Sequence, residues 1–269
     1  QTSCMTVGYF SEYSHFIKID LNIKTMKDLF SQHSLRYKQA RPNYSIQILK
    51  EILQHVPESG FAWDCGAGSG QFTQLLAPYF DHVVATDISD AQLQHAPYFE
   101  NVSYQVQAAE QTSIPTQSID LVTVAQAIHW FDFEAFYSEV KRVLKPQGVV
   151  AAIGYGLIQL QDAALNHLIQ QLYFETLKDY WDSERRYIDE CYQTIPFPFQ
   201  EKAVPALSLQ YQWTAQQLLS YLNTWSALKH YQEQHADDPL QLISNALKTA
   251  PEYLDVTFPV LLRVGTVKK

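Results

Sequence analysis

The feature that most constrains this chain is the nonapeptide Trp63-Asp64-Cys65-Gly66-Ala67-Gly68-Ser69-Gly70-Gln71. It continues a short apolar run, Phe61-Ala62-Trp63, and leads into a segment with helical spacing. Glycines at alternate positions between a strand and a helix allow backbone torsions that other side chains resist. Gly66 permits a tight turn, and Gly68 lets a ligand come close to the backbone. The N–H groups opening the next helix can face a carboxylate or phosphate. A second β-rich run, His82 to Thr86, also ends in an acid, Asp87. A carboxylate at that place can accept both hydroxyls of a ribose. Strand, acid, glycine loop, helix and second acid in this order predict a ligand held beyond the carboxyl ends of a parallel sheet.

The rest of the chain supports that sheet. Residues 45–56 have helical spacing and stop at Pro57-Glu58-Ser59-Gly60. A helix is expected from Gly70 to about Ala77, and another from the cap Ser89 to about Ala96. Val102–Val106, Ile119–Ala125 and Val149–Ile153 read as strands, with a helix over Asp132–Leu144. Strands alternating with helices give an α/β fold of doubly wound type. After Gly156 the texture changes. Long helices are expected within 161–192, an irregular Pro-broken stretch at Ile195–Phe199, and a strand over Leu207–Trp213. Helices follow at about 214–232 and 238–249, then a last strand, Leu254–Val267. Pro259 in that strand suggests a bulge or an edge. The expected division is an N-terminal extension over 1–25, a lid over 26–44, a ligand-binding core over 45–156, and the last sheet strands with a helical cap over 157–269.

Composition narrows the partners. The 269 residues carry Lys+Arg 19 against Asp+Glu 28, a net charge of −9, so a phosphate backbone is disfavoured as a partner. The cysteines, Cys4, Cys65 and Cys191, form no CxxC pair, which speaks against zinc ribbons and disulfide frameworks. Reduced thiols fit the cytoplasm. No window approaches the ~18 apolar residues of a membrane span, and no secretory signal is seen. A nicotinamide cofactor would call for glycine where Gln71 stands.

These motifs resemble the class I S-adenosylmethionine-dependent methyltransferases. Asp64 to Gly70 matches that family's first motif, and Val84-Ala85-Thr86-Asp87-Ile88-Ser89 its second. Ala108-Ala109-Glu110 with Ile114-Pro115, Asp120-Leu121-Val122 and Arg142-Val143-Leu144-Lys145-Pro146-Gln147-Gly148 follow in the family's order. The match covers about 61–156. A narrower likeness, to the small-molecule branch that includes trans-aconitate methyltransferase-like proteins, is carried by Phe30, Tyr37, Arg41-Pro42, the run Ala125 to Asp132, Thr224-Trp225-Ser226-Ala227 and Asp238-Pro239. The resemblance implies a seven-stranded Rossmann-like sheet of order 3-2-1-4-5-7-6 with the last strand antiparallel. It also implies S-adenosylmethionine as donor, S-adenosylhomocysteine as product, no metal, and a small-molecule methyl acceptor. A monomer or homodimer is expected.

Carried onto this sequence, the donor would meet Tyr37, Arg41, Asp64, Gly66, Ala67, Gly68, Gln71, Asp87, Ile88, Ala109, Glu110 and Gln126. The chain departs from the family at Ala108, where many members have an acid for the adenine amino group. Tyr37 and Trp130 are candidates to face a sulfonium, since an aromatic face attracts cations; lid packing explains them as well. His129 lies just past the fourth strand, as a general base or as a hydrogen-bonded structural histidine. Arg185 and Arg186, flanked by Trp181 and Tyr187, can clamp a carboxylate or form a solvated helix face. Arg41 can meet the donor's carboxylate. Tyr155 and Trp225 can line an acceptor pocket or pack the core. The region Gln126-Ala127-Ile128-His129 lacks the Asn/Asp-Pro-Pro-aromatic turn of enzymes that methylate nucleic-acid bases. The expected activity is methyl transfer to a carboxylate or hydroxyl oxygen. The alternatives are a catalytically silent donor-binding module acting through a protein partner, an oxidoreductase and a nucleic-acid methyltransferase.

Overall fold

A computed structural model describes residues 41–267. The extension expected at 1–25 and most of the lid expected at 26–44, including Phe30 and Tyr37, lie outside the described residues. So does Cys4. Cys65 is buried, Cys191 is exposed, and both are free thiols. No helix among the described residues is long and apolar enough to cross a membrane.

The first five strands form a parallel sheet. They are β1 (Phe61–Cys65), β2 (His82–Asp87), β3 (Val102–Val106), β4 (Ile119–Ala125) and β5 (Leu144–Tyr155). β1 lies between β2 and β4, β3 flanks β2, and β5 flanks β4. Alternate residues serve opposite faces. Ala62, Leu121, Ala151 and Ile153 face one apolar cluster with Ile48, Leu49 and Ile52 of α1 (Ile46–Leu53). Trp63, Val122, Val124 and Ala152 face the other with Phe136, Val140 and Val143 of α4 (Phe133–Val143). Helices on both faces explain why the central strands read as continuous apolar runs.

Two helices are shorter than their sequence spacing predicts. α2 (Thr73–Leu76) begins three residues after Gly70, because Gly70 has φ +76° and cannot be helical. α3 (Asp90–Leu93) is one turn, started by the Ser89 side chain accepting from the Gln92 N–H. β5 begins earlier than expected, at Leu144, with a register shift before Val149.

The order of the main strands is 3-2-1-4-5, then β9 (Leu254–Thr266), then β8 (Ser208–Trp213), so the last strand of the chain lies antiparallel beside β5, as the resemblance implies. Two short strands were not legible. β6 (Gln159–Leu160) pairs with β9 beyond the end of β5, and β7 (Gln200–Lys202) pairs with β9 beyond the end of β8. At two and three residues they show no readable alternation. β9 therefore has partners on both sides, and Pro259 is not on an edge. It sits where the ladders change hands: β5 reaches as far as Val260, β6 starts at Thr257, and only β8 meets Pro259. The missing N–H costs least at such a break.

Residues 161–192 are not long helices. α5 (Ala163–Gln171) runs into a π turn over Leu172–Thr176, then single turns at Lys178–Tyr180 and Ser183–Arg185 and the short α6 (Arg186–Asp189). Ring packing wins over periodicity here. Trp181 takes extended torsions, packs tilted against Tyr173 with ring centroids 4.6 Å apart, and donates its indole N–H to the Tyr173 carbonyl. The helix expected over 214–232 is likewise two, α7 (Ala215–Leu222) and α8 (Ser226–Gln234). The Thr224 hydroxyl donates to the Tyr221 carbonyl, and Trp225 is buried in extended conformation between them. The helix expected over 238–249 is α9 (Gln241–Leu247).

One arginine ties this half to the sheet. Arg263, on β9, donates Nη1 to the carbonyls of Tyr192 and Ile195 at 3.0 and 2.7 Å. Nε and Nη2 pair with both oxygens of Glu201, and the guanidinium lies 4.5 Å from the Phe197 ring centroid. It holds the left-handed pair Cys191 and Tyr192, φ 54° and 61°, against β9. Removing it leaves the buried Ile195 carbonyl unpaired and the Tyr192 carbonyl with only the Ile195 N–H. Arg263→Ala is expected to lower unfolding stability by about 2–4 kcal/mol, measured by urea titration followed by circular dichroism. A loss below about 1 kcal/mol would mean the clamp is decorative.

Candidate active site

The site begins with a buried acid. Asp64 sits in the middle of the parallel sheet, fully shielded from water. The Thr73 hydroxyl donates to one carboxylate oxygen at 2.6 Å and the Thr123 hydroxyl to the other at 2.8 Å. These bonds join β1, α2 and β4 at the root of the glycine loop. Burial still dominates and raises the Asp64 pKa to about 6.

The loop follows directly. Gly66, Gly68 and Gly70 have φ of 68°, 54° and 76°, a region side chains rarely adopt. At Gly66 the freedom is also spatial, since a Cβ would lie 2.6 Å from that of Ala127 in the loop after β4. The Ala67 N–H donates to the Thr86 carbonyl, and the Gly68 N–H to the Asp87 carboxylate at 2.8 Å. The other Asp87 oxygen accepts from the Ser89 N–H, also at 2.8 Å. The carboxylate is thus oriented by backbone N–H groups on both oxygens. Burial raises the Asp87 pKa, and the backbone N–H groups of Ser89, Gly68 and Ile88 oppose it.

Across the pocket, β4 ends in Gln126 with φ 57°, an uncommon torsion for a residue with a side chain. Its carbonyl oxygen Oε1 accepts from the Tyr155 N–H at 3.2 Å and from the Tyr192 hydroxyl at 3.4 Å. Gly154 makes this possible, because a Cβ there would lie 2.7 Å from both Gln126 Oε1 and the Tyr192 hydroxyl.

One cavity of about 240 Å³ collects most of the expected residues. Asp64, Gly66, Ala67, Gly68 and Gln71 form its floor, and Asp87 with Ile88 one wall. Ala109 and Glu110 lie on the side expected for adenine; Glu110 also accepts from the Asp132 N–H. Arg41, Gln126, Trp130 and Tyr155 complete it. Nine lining residues were not among the expected site residues: Tyr44, Ser69, Phe72, Ser89, Gln92, Gln107, Ala125, Ala127 and Phe131. Gln92 had a local signal, being the residue that Ser89 caps. Tyr44 and Phe131 arrive from loops whose direction no spacing encodes.

His129, Trp181, Arg185, Arg186 and Trp225 do not line this cavity. His129 is 7% exposed and its Nδ1 has no hydrogen-bond partner among the described residues. Burial first, then the charges of Arg185 and Arg41, lower its pKa to about 3. The two neighbouring arginines separate. Arg185 turns inward, its Nε donating to the Tyr173 hydroxyl at 2.6 Å with Asp189 at 3.7 Å, and its guanidinium lying 4.9 Å from the Trp181 ring centroid. Arg186 turns outward onto Tyr187 at 4.8 Å. Trp225 packs against Tyr173 and Trp181, both at 5.5 Å between ring centroids, so it serves the core of the cap.

A sheet that opens its glycine loop and strand-terminal acids into one cavity defines an α/β protein for a nucleoside-bearing ligand. The comparisons name the group. A methyltransferase domain model matches residues 63–152. A Dictyostelium discoideum protein whose name places it among methyltransferases is 36% identical over 247 residues, 87% of this chain and 93% of that one. A Saccharomyces cerevisiae protein named for S-adenosylmethionine-dependent methyl transfer is 30% identical over 127 residues, 44% of each chain. A solved structure from Anaeromyxobacter dehalogenans, described as a type II methyltransferase, superposes with a TM-score of 0.78 at 37% identity, covering 84% of this chain and 97% of that one. The chain belongs to the class I S-adenosylmethionine-dependent methyltransferases, and it is an enzyme that needs a methyl acceptor.

The buried acid generates a test. With its pKa raised in the fold, Asp64 favours the folded state while protonated, and that contribution fades as pH rises from about 4 through about 6. Relative to Asp64→Asn, wild-type stability is expected to fall by about 3 kcal/mol between pH 4 and pH 7. Urea unfolding of both proteins across that range measures it; a constant difference would show that Asp64 does not titrate in this window.

Proposed function

We propose that this methyltransferase acts on a small molecule and that the receiving atom is a carboxylate oxygen. The observation that carries the reading is the state of Arg185. Its Nε is committed to Tyr173 with Asp189 3.7 Å away, the rings of Tyr173 and Trp181 flank the guanidinium, and its Nη groups make no hydrogen bond to a described residue. Its side chain is only 19% exposed. A guanidinium locked by its Nε with its fork open suits a planar carboxylate. Arg41 adds a second positive charge felt at His129, in a chain of net −9.

The residues of this cavity fit the donor that the family implies. Asp87, held at the end of β2 by backbone N–H groups, would accept from the ribose hydroxyls, and the glycine loop presents backbone without side chains beside it. Ala109 and Glu110 would border the adenine, and Gly66, Gly68, Gln71 and Arg41 the amino-acid end. When bound, the donor supplies an electrophilic methyl group on a sulfonium sulfur. The chain's own part is placement. Trp130, Tyr155 and Gln126 shape the wall where donor and acceptor meet, and Arg185, set back from that wall, supplies positive charge felt at His129. Alignment of this kind can supply about 7–11 kcal/mol. A carboxylate is already ionised, so no base is required. His129, kept neutral by burial and by the two arginines, serves better as a hydrogen-bonding group than as a proton acceptor.

A panel of acids, phenols and amines tests the reading, with ester formation as the readout. Acids are expected to be methylated. Arg185→Ala should raise KM for them by tenfold or more, about 1.4 kcal/mol, while donor affinity holds and Arg185→Lys recovers part of the loss. Methylation of phenols or amines in preference to acids, or an unchanged KM in Arg185→Ala, would sink it.

A further inference from the structure

A second cavity, about 380 Å³, lies outside the first. Trp130 and Phe131 line both, so the single turn after β4 is a partition between them. The far side of the groove is the cap segment Ser183 to Tyr187, from which Arg185 turns the other way, inward. Its walls are aromatic: Phe133 meets Tyr187 edge to face at 5.3 Å, and Trp130 is 42% exposed. An indole left this open beside a donor cavity is apolar surface that a ligand would cover. The groove also contains His129, whose side chain is more than nine-tenths buried and whose Nδ1 has no partner among the described residues. A buried polar atom without a partner is costly, so its natural complement is a group that arrives with the ligand. Arg186 and Glu184 both line the mouth and their charges offset, so the groove selects by shape and ring contact more than by charge.

We infer that this groove is the acceptor's body site, and that it takes the ring system of an aromatic carboxylic acid whose carboxylate reaches past the partition toward the donor cavity. The inference rests on the carboxylate reading above and adds the half of the acceptor that does not react. Aromatic walls at edge-to-face distance favour flat rings over flexible aliphatic chains of equal charge. His129 contributes a hydrogen bond to the acid as it enters, and Trp130 lies against both ligands. Aliphatic acids would bind through their charge alone. The groove is thus the element that sets specificity within acids, whereas Arg185 selects acids as a class.

The test separates binding from turnover. Binding of 2-naphthoate and of cyclohexanecarboxylate is measured calorimetrically on the full chain saturated with S-adenosylhomocysteine. Wild type should bind the naphthoate at least tenfold more tightly. Tyr187→Ala should remove most of that preference, and Ser183→Trp, which fills the groove from an exposed position, should do the same without deleting a contact. Equal affinity for the two acids, no binding of either, or preference unchanged in both variants would overturn the inference. Unchanged preference would leave the groove to another occupant, such as residues of the chain's own first forty. Tight, variant-sensitive naphthoate binding with no methylation of any acid would uphold the groove and overturn the carboxylate reading instead.

Discussion

The structure depends on one charge placed where charges are expensive. Asp64 stands in the centre of a parallel sheet, and two threonine hydroxyls from different elements hold its carboxylate. Burying an unpaired carboxylate costs several kcal/mol, so Thr73 and Thr123 are not optional. By satisfying Asp64 they also fix where β1 ends, where β4 stands beside it and where α2 begins. The glycine loop hangs from those three points. Its N–H groups then reach Thr86 and Asp87, and the loop after β4 can close against Gly66. The cavity is a consequence of that geometry.

Most of the sheet was legible because a parallel strand buried on both faces is a continuous apolar run, and the runs of β1 and β2 are closed by Asp64 and Asp87. The two acids and the glycine loop were legible because their chemistry is local: torsion at Gly66 and Gly68, and lone pairs at Asp87. The cap was not. Helical periodicity over 161–192 predicts long helices, but Tyr173 and Trp181 break it by packing tilted against each other and against Trp225, which comes from far along the chain. The same contact decides which of Arg185 and Arg186 faces inward. In the sequence the two are interchangeable; in the fold one is clamped among aromatic rings and the other lies on the surface. Residues expected in the lid, Tyr37 among them, lie outside what the structure describes.

The two halves divide the work along that line. The sheet and its loops provide most of the first cavity's lining, and the domain match at residues 63–152 spans those loops. The cap contributes Arg185, part of the environment that keeps His129 neutral, and the far wall of the aromatic groove. Arg263 connects them mechanically, since it fixes the Tyr192 turn to β9 and Tyr192 in turn meets Gln126 at the donor cavity. Selectivity for the acceptor is therefore expected to respond to substitutions in the cap that leave the donor side intact.

The account stands or falls on Asp87. Calorimetric titration with S-adenosylmethionine, on the wild type and on Asp87→Ala, tests it most directly. Micromolar binding by the wild type, weakened tenfold or more in the variant, about 1.4 kcal/mol, is the predicted result. Equal affinity in the two proteins, or no binding in either, would contradict the placement of the donor between the glycine loop and the end of β2.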